Sequence, residues 1–203
     1  MGRPREVEDE AIFGATGRAL SRLGYARLSL AAVAGEVGVS PAMLVKRFGS
    51  KRDLLLAFFD WSIASSRALF AAARQEHASP LGSLLARFLL RLEYTNDPVS
   101  VANVLSFYTE TIGDPEFAER GARRLRMQHA EIQRLLDEAV ARGELVACDT
   151  ARVGRVLLAA MNGALLLWEP DAARSMNDGL RDVFDVVLGP LRAAGRAVPA
   201  TEV

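Results

Sequence analysis

The stretch GEVGVSPAMLVKRFGSKRDLL, residues 35–55, decides how this chain folds. Gly38 permits a left-handed backbone conformation, and Ser40 offers a side-chain oxygen to the free amides of a helix that begins at Pro41. Upstream, Ser29 is placed to cap another helix in the same way, and apolar residues follow it at helical spacing. The sequence therefore predicts two short helices that meet at a three-residue turn.

The rest of the chain also repeats apolar residues at helical spacing, without the sustained alternation that strands show. We therefore predict an all-α fold. The predicted helices are short before residue 50 and long after it, so we place a domain boundary there. Residues 1–50 form a three-helix domain with a helix-turn-helix, and residues 51–203 form a larger helical bundle.

Charge by itself does not identify a nucleic-acid-binding protein. The whole chain has 25 Lys and Arg against 25 Asp and Glu. Residues 1–53 contain nine basic and six acidic side chains, which is only a modest excess. The longest apolar run, residues 156–168, is shorter than the roughly 20 residues that span a bilayer. No secretory leader is recognised, so we expect a cytoplasmic protein without a membrane partner.

Catalytic and metal-binding patterns are not found in the sequence. The single cysteine, Cys148, and the two histidines, His77 and His129, have neither a nucleophile–base spacing nor a metal-ligand spacing. We expect no enzymatic activity, no metal and no cofactor.

A helix, a three-residue turn with glycine and a second helix form a helix-turn-helix, whose second helix enters the DNA major groove. The residues around it resemble the TetR family of bacterial transcriptional regulators. The family's N-terminal pattern is matched over about 30 residues, at Gly24, Tyr25, Ser29, Val33, Ala34, Gly38, Val39, Ser40, Leu44, Phe48, Ser50, Lys51 and Leu54. Leu20, Leu28 and Val45 depart from it.

The resemblance implies which side chains face DNA: Ser29, Ser40, Pro41, Ala42, Met43, Val45, Lys46, Arg47 and Lys51. Leu44 and Phe48 lie on the opposite, core-facing side of the same helix. Val45 stands where the family commonly has a tyrosine that contacts the DNA backbone, so this chain lacks one phosphate contact. Arg3 and Arg5 form a short basic arm that we expect to reach an adjacent groove.

The larger domain contains aromatic and polar residues suited to a small-molecule pocket. The resemblance implies a small, mainly apolar effector, and we predict that it contacts Trp61, Phe88, Asn103, Phe107, Tyr108, Met127, His129, Met161, Asn162 and Trp168. Ordinary core packing is the alternative for each of these residues.

The last two predicted helices are apolar on more than one face, so one face covers the core and the other is free to pair with a second copy. We predict a homodimer interface at Val156, Leu157, Ala160, Ala164, Leu180, Phe184, Val187, Leu188 and Leu191.

The resemblance implies a transcriptional regulator, most commonly a repressor, that binds palindromic operator DNA as a dimer and is released by its effector. Two other classes stay open at this stage. A helical small-molecule-binding protein or a protein-interaction adaptor would bind no operator DNA.

Overall fold

The computed structural model describes residues 8–90, 97–167 and 175–193. Within these ranges the chain is helical and contains no strand, which confirms the predicted all-α class. The helices are α1 Asp9–Arg27, α2 Leu30–Val37, α3 Pro41–Phe48, α4 Lys51–Glu76, α5 Pro80–Leu89, α6 Pro98–Thr111, α7 Pro115–Ala141, α8 Thr150–Leu166 and α9 Met176–Leu188, followed by a 3-10 turn, Gly189–Leu191. The predicted arm residues Arg3 and Arg5 and the predicted pocket residue Trp168 lie outside the described ranges.

The turn between α2 and α3 has the predicted chemistry. Gly38 adopts φ 78° and ψ 34°, and its amide donates to the carbonyl of Ala34 at 2.9 Å. Ser40 has an extended backbone, and its hydroxyl oxygen accepts a hydrogen bond from the Met43 amide at 3.3 Å. Pro41 occupies the first helical position, where its missing N–H removes no helical hydrogen bond. These three residues end α2, turn the chain and start α3.

The chain divides into two compact units that differ from a simple cut near residue 50. Unit 1 comprises residues 1–63 and 93–121, and unit 2 comprises residues 64–92 and 122–203. The boundaries therefore fall within the long helices α4 and α7. Our division into residues 1–50 and 51–203 rests on the change in predicted helix length near residue 50, and it stays a prediction.

In unit 1, α1 packs against both α2 and α6, and α2 packs against α3. The start of α4 is fixed to the start of α7 by Arg52, whose Nε and Nη2 donate to the two carboxylate oxygens of Asp114 at 3.0 Å each. The buried core of unit 1 includes Ile12, Ala15, Ala19, Leu20, Leu28, Val33, Leu44, Leu54, Leu55, Phe59, Phe107 and Phe117.

In unit 2, α9 packs against α8 and α5. Glu144, in the loop after α7, accepts hydrogen bonds from the Ser79 hydroxyl at 2.9 Å and from the Leu81 amide at 3.2 Å, which holds this loop against the start of α5. The buried core of unit 2 includes Phe70, Leu81, Leu84, Ile132, Leu135, Leu136, Leu157, Met161, Met176, Leu180, Phe184 and Leu188.

The final helix is shorter than the sequence predicts. We expected it to continue over residues 174–194, but α9 ends at Leu188 and a 3-10 turn follows. Pro190 has no amide hydrogen and cannot continue the helical ladder, which accounts for the early end. At the other end, Ser175 and Asp178 form a capping box that the sequence reading overlooked.

Among the described helices, α4 is long and apolar enough to cross a membrane by length and composition. Its apolar side chains at Leu54, Leu55, Phe59 and Phe70 are instead buried within the protein. A core helix of this kind meets the same length and composition criteria, so this is weak evidence for a membrane segment.

The conformation of Gly24 provides a test of the fold. Its φ of 74° and ψ of 166° are available almost only to glycine, and an added Cβ would lie 2.8 Å from Oδ1 of Asn103. That amide is held in place by a 2.6 Å hydrogen bond from its Nδ2 to the Ser21 carbonyl. We expect Gly24→Ala to lower the free energy of unfolding by about 1–3 kcal/mol in urea titrations at fixed protein concentration.

Gly35→Ala is the matched control, because Gly35 lies exposed in α2 with nothing within 4 Å of an added Cβ. We expect this substitution to raise the free energy of unfolding by about 0.5–1 kcal/mol. Equal stability of Gly24→Ala and the wild type would contradict the strained docking of α1 on α6.

Candidate nucleic-acid interface

The short helix α3 presents a polar and small-residue surface to solvent because one buried residue holds its other side. Leu44 is fully buried, and the Phe48 ring packs 5.9 Å from the ring of Phe13 on α1. On the outer side, Ser40, Pro41, Ala42, Val45, Lys46 and Arg47 are exposed and Met43 is partly exposed. The predicted DNA-facing residues of α3 therefore share one accessible surface.

Two helix starts are available to an anion on unit 1. Ser29 caps α2 by accepting from the Ala32 amide at 3.1 Å, and Ser40 caps α3 in the same way. Each hydroxyl oxygen is used as an acceptor, so its own hydrogen is available to donate outward. The remaining amides of each first turn add further donors, which is the arrangement that binds phosphate at helix starts.

The three predicted cations of the interface differ in what they contact. Lys46 is exposed, and the described part of the chain provides it with no ion-pair partner. Arg47 donates from Nη2 to Asp9 Oδ1 at 2.9 Å, which links α3 to the first turn of α1. DNA contact by Arg47 therefore competes with an ion pair within the protein.

Lys51 is also held by the protein. Its Nζ donates to the backbone carbonyl of Tyr25 at 2.5 Å and lies 4.3 Å from the centroid of the Tyr25 ring. Partial burial lowers the pKa of this ammonium. The geometry gives Lys51 a structural contact, while its predicted contact with DNA stays a prediction.

The acidic partners Glu36 and Asp9 were missed by the sequence reading. Glu36 accepts from Arg18 at 3.3 Å and from Arg22 at 3.0 Å, so one carboxylate on α2 neutralises much of the basic excess on α1. Arg18 and Arg22 are 18 and 14 positions from Glu36 in the sequence, and they reach it only because α1 and α2 pack together. No short-range pattern would have identified this pair.

In unit 1, the predicted effector residues belong to aromatic packing and to backbone contacts. Phe107 is buried and packs with the rings of Phe59 and Tyr108 at centroid distances of 5.5 Å each. Trp61 lies 5.8 Å from the Phe13 ring. Asn103 uses its amide nitrogen to donate to Ser21 O, so that nitrogen holds α6 to α1.

In unit 2, the predicted effector residues are not uniformly available to a ligand. Met127 and Met161 are buried, and Phe88 is partly exposed. Nε2 of His129 lies 2.8 Å from the carbonyl of Ala151. Asn162 is exposed and donates to the carbonyl of Leu158 on its own helix. The role of these residues in an effector pocket stays a prediction.

The predicted dimer residues divide between the core and the surface of unit 2. Leu157, Leu180, Phe184 and Leu188 are at most 2% exposed, so their side chains are covered within the single chain and we drop them from the interface. The accessible members are Val156, Ala160, Ala164, Val187 and Leu191. Val186, which we had not selected, is 75% exposed on α9.

No group of three or more histidine, cysteine, aspartate or glutamate side chains positioned for a metal ion occurs in residues 8–90, 97–167 and 175–193. Cys148, next to α8, is partly exposed, and burial together with Asp149 raises the pKa of its thiol.

Comparison with known proteins agrees with the geometry of unit 1. The sequence model described as bacterial regulatory proteins, tetR family, matches residues 12–58, which span α1 to the start of α4. The HTH-type transcriptional regulator BetI of Rhizobium meliloti (strain 1021) is 32% identical over 107 residues. This alignment covers 51% of this chain and 52% of BetI, so the chain spans about half the length of that relative.

Solved structures share the fold over nearly the whole chain. A TetR transcription regulator from Haloarcula marismortui ATCC 43049 superposes with a TM-score of 0.70 at 23% identity, covering 89% of this chain and 94% of that one. A transcriptional regulator from Saccharomonospora viridis in complex with choline gives a TM-score of 0.74 at 17% identity, covering 91% and 97%. SmeT, the repressor of the Stenotrophomonas maltophilia efflux pump SmeDEF, gives 0.63 at 18% identity, covering 97% and 96%.

These structures establish the fold, and the match over residues 12–58 establishes the type of DNA-binding domain. Residues 12–58 therefore match the DNA-binding domain described as bacterial regulatory proteins, tetR family, and the chain as a whole has the fold of TetR regulators of known structure.

Proposed function

We propose that this regulator acts in the cytoplasm as a homodimeric repressor of a palindromic operator. The observation that carries the proposal is the outer surface of α3, where Ser40, Ala42, Val45 and Lys46 are exposed while Leu44 fixes the helix from behind. A dimer would place two such helices in successive major grooves about 34 Å apart, one helical turn of DNA.

Within the interface, different residues would serve different purposes. The hydroxyl groups of Ser29 and Ser40 and the first-turn amides would contact phosphates, which fix the orientation of the protein on DNA. Ala42 and Met43 have no side-chain hydrogen-bonding group suited to base edges, so they would favour apolar contact such as the thymine methyl group. Lys46 would add a salt-dependent phosphate contact.

The dimer would form through the exposed sides of α8 and α9. Val156 is 52% exposed and Val186 is 75% exposed, and both belong to helices whose other sides cover the core of unit 2. Arg155 on α8 and Asp182 on α9 are also exposed. An isologous interface would pair the exposed side of α8 with the exposed side of the partner's α9.

The effector would be a small, mainly apolar molecule bound in the larger helical domain. Release of DNA requires that the effector bind the conformation with displaced recognition helices more tightly than the operator-bound one.

The operator proposal is tested by incubating the purified full chain with fragmented genomic DNA and sequencing the fragments it retains. A shared palindrome with half-sites about one helical turn apart supports the proposal. Retention of no sequence above background, together with tight binding of a small molecule, would instead favour a ligand-binding protein without an operator.

We expect Lys46→Ala to weaken operator binding and to reduce the slope of log affinity against log salt by about 1, because one phosphate contact is lost. Fluorescence anisotropy over a range of salt concentrations measures both quantities. Arg67→Ala is the matched control, since Arg67 is an exposed cation on α4 in unit 2. An unchanged salt slope in Lys46→Ala would remove Lys46 from the interface.

We expect Val45→Tyr to tighten operator binding by about 0.5–1.5 kcal/mol, the net contribution of one additional hydrogen bond. Val45 is 50% exposed, so the larger ring has room on the surface of α3. Val45→Phe adds the aromatic ring without the hydroxyl group, so it distinguishes their two contributions. We expect its operator affinity to stay close to that of the wild type. Equal gains from tyrosine and phenylalanine would show that contact area, not a phosphate hydrogen bond, is responsible.

We expect Val156→Asp to convert a dimer of about 44 kDa into the 22.0 kDa protomer, because an aspartate would be buried without a partner at the interface. Sedimentation velocity distinguishes the two masses. Val99→Asp is the control, because Val99 is 66% exposed but lies on α6 in unit 1. If Val156→Asp and Val99→Asp both convert the dimer into the protomer, an interface on α8 and α9 is not supported.

A further inference from the structure

Arg87, in the last turn of α5, is a partly buried arginine that pairs with no carboxylate among the residues that the structure describes. Its Nη2 donates to the Ser66 hydroxyl oxygen at 2.8 Å, and its guanidinium carbon lies 4.8 Å from the centroid of the Phe70 ring. Both partners are buried residues of α4. Nε of Arg87 is buried and has no hydrogen-bond partner in the described part of the chain.

Among the described residues, the charge that acts on Arg87 is the positive one of Arg124. Burial is the main cause that lowers the pKa of Arg87 to about 10, and the nearby cation of Arg124 on α7 lowers it further. Among the described residues, no carboxylate forms an ion pair with Arg87. Buried charges in proteins are normally paired, because removing them from water without a counter-charge is costly.

The contacts that Arg87 makes compensate only in part for the hydration that its charged group loses. A hydroxyl group supplies a neutral acceptor, and the face of Phe70 supplies a cation–π contact. The end of α5 adds a small favourable dipole, since cations are stabilised at helix ends. An arginine has five N–H donors, so most of its hydrogen-bonding capacity is not used by these contacts.

We propose that Arg87 binds the carboxylate of a small organic acid with an apolar body, and that this acid is the effector of the regulator. The proposal rests on the effector role given under Proposed function and adds the chemical class of the ligand. The carboxylate would supply a counter-charge that the described residues do not provide. Because Nε is closed to solvent, binding requires local opening around α5.

The surroundings favour a carboxylate over inorganic phosphate or a cation. A guanidinium presents two parallel N–H groups that match the two oxygens of a carboxylate. The site also removes water from its ligand, and phosphate, with more charge on a compact group, would lose more hydration than a carboxylate on an apolar chain. A cationic ligand would be repelled by the guanidinium of Arg87.

The test compares the wild type with Arg87→Met, which keeps the length of the side chain and removes its charge. We expect ligand-free Arg87→Met to melt about 2–4 °C above the wild type at equal protein concentration, because an uncompensated buried charge is gone. We expect octanoate, decanoate or phenylacetate to raise the melting temperature of the wild type, while 1-octanol, octylammonium and inorganic phosphate do not. By titration calorimetry, the variant should bind the active carboxylate at least tenfold more weakly.

Arg67→Met is the matched control, because it removes an exposed arginine from the same unit and should leave carboxylate binding unchanged. The proposal is overturned if none of the three carboxylates stabilises the wild type, or if the response is equal in Arg87→Met. A lower melting temperature of ligand-free Arg87→Met would also overturn it, since the charge would then be compensated within the protein.

Carboxylate binding is measured in the absence of DNA, so the hypothesis of a ligand site at Arg87 and the hypothesis of its regulatory role are tested independently. If carboxylates bind through Arg87 and leave operator affinity unchanged, the site stands and the effector role is wrong. If the operator is found and no carboxylate binds, only the ligand class is wrong.

Discussion

Burial of Leu44 is the interaction on which the proposed DNA-binding surface depends. The recognition helix α3 has eight residues, which is too short to be stable in water without tertiary contacts. Leu44 is fully buried, and Phe48 packs on Phe13, so the apolar side of α3 is fixed on α1. The polar side is then presented in one orientation, and the capping hydroxyl of Ser40 satisfies an amide that would otherwise be free.

The same packing determines the charge of the surface. A chain with zero net charge must concentrate its positive charge to bind DNA, yet Glu36 and Asp9 neutralise arginines of unit 1. Lys46 is left as an exposed cation of α3, and helix starts at Ser29 and Ser40 provide additional donors. Binding would therefore depend more on hydrogen bonds and shape than is usual for a strongly basic DNA-binding domain.

Unit 2 combines ordinary core packing with one unusual charge. Leu157, Phe184 and Leu188 form part of a dry interior, while the exposed sides of α8 and α9 carry large apolar residues that a monomer leaves in water. Arg87, in contrast, places a buried Nε beside Phe70, and no carboxylate of the described residues pairs with it. We propose a different partner for each: a second copy of the chain for the exposed apolar side chains, and a carboxylate ligand for Arg87.

The sequence by itself determined the helices, the turn and the type of DNA-binding domain, because glycine at residue 38, serine caps and apolar spacing act over a few residues. It did not determine the pairing of Arg47 with Asp9 or of Lys51 with the Tyr25 carbonyl, since these groups are far apart in the chain. Burial likewise depends on which helix faces meet: Leu157 and Val156 are adjacent and equally apolar, yet only Val156 is exposed. Tertiary packing alone decides which cations, apolar side chains and buried charges a partner can reach.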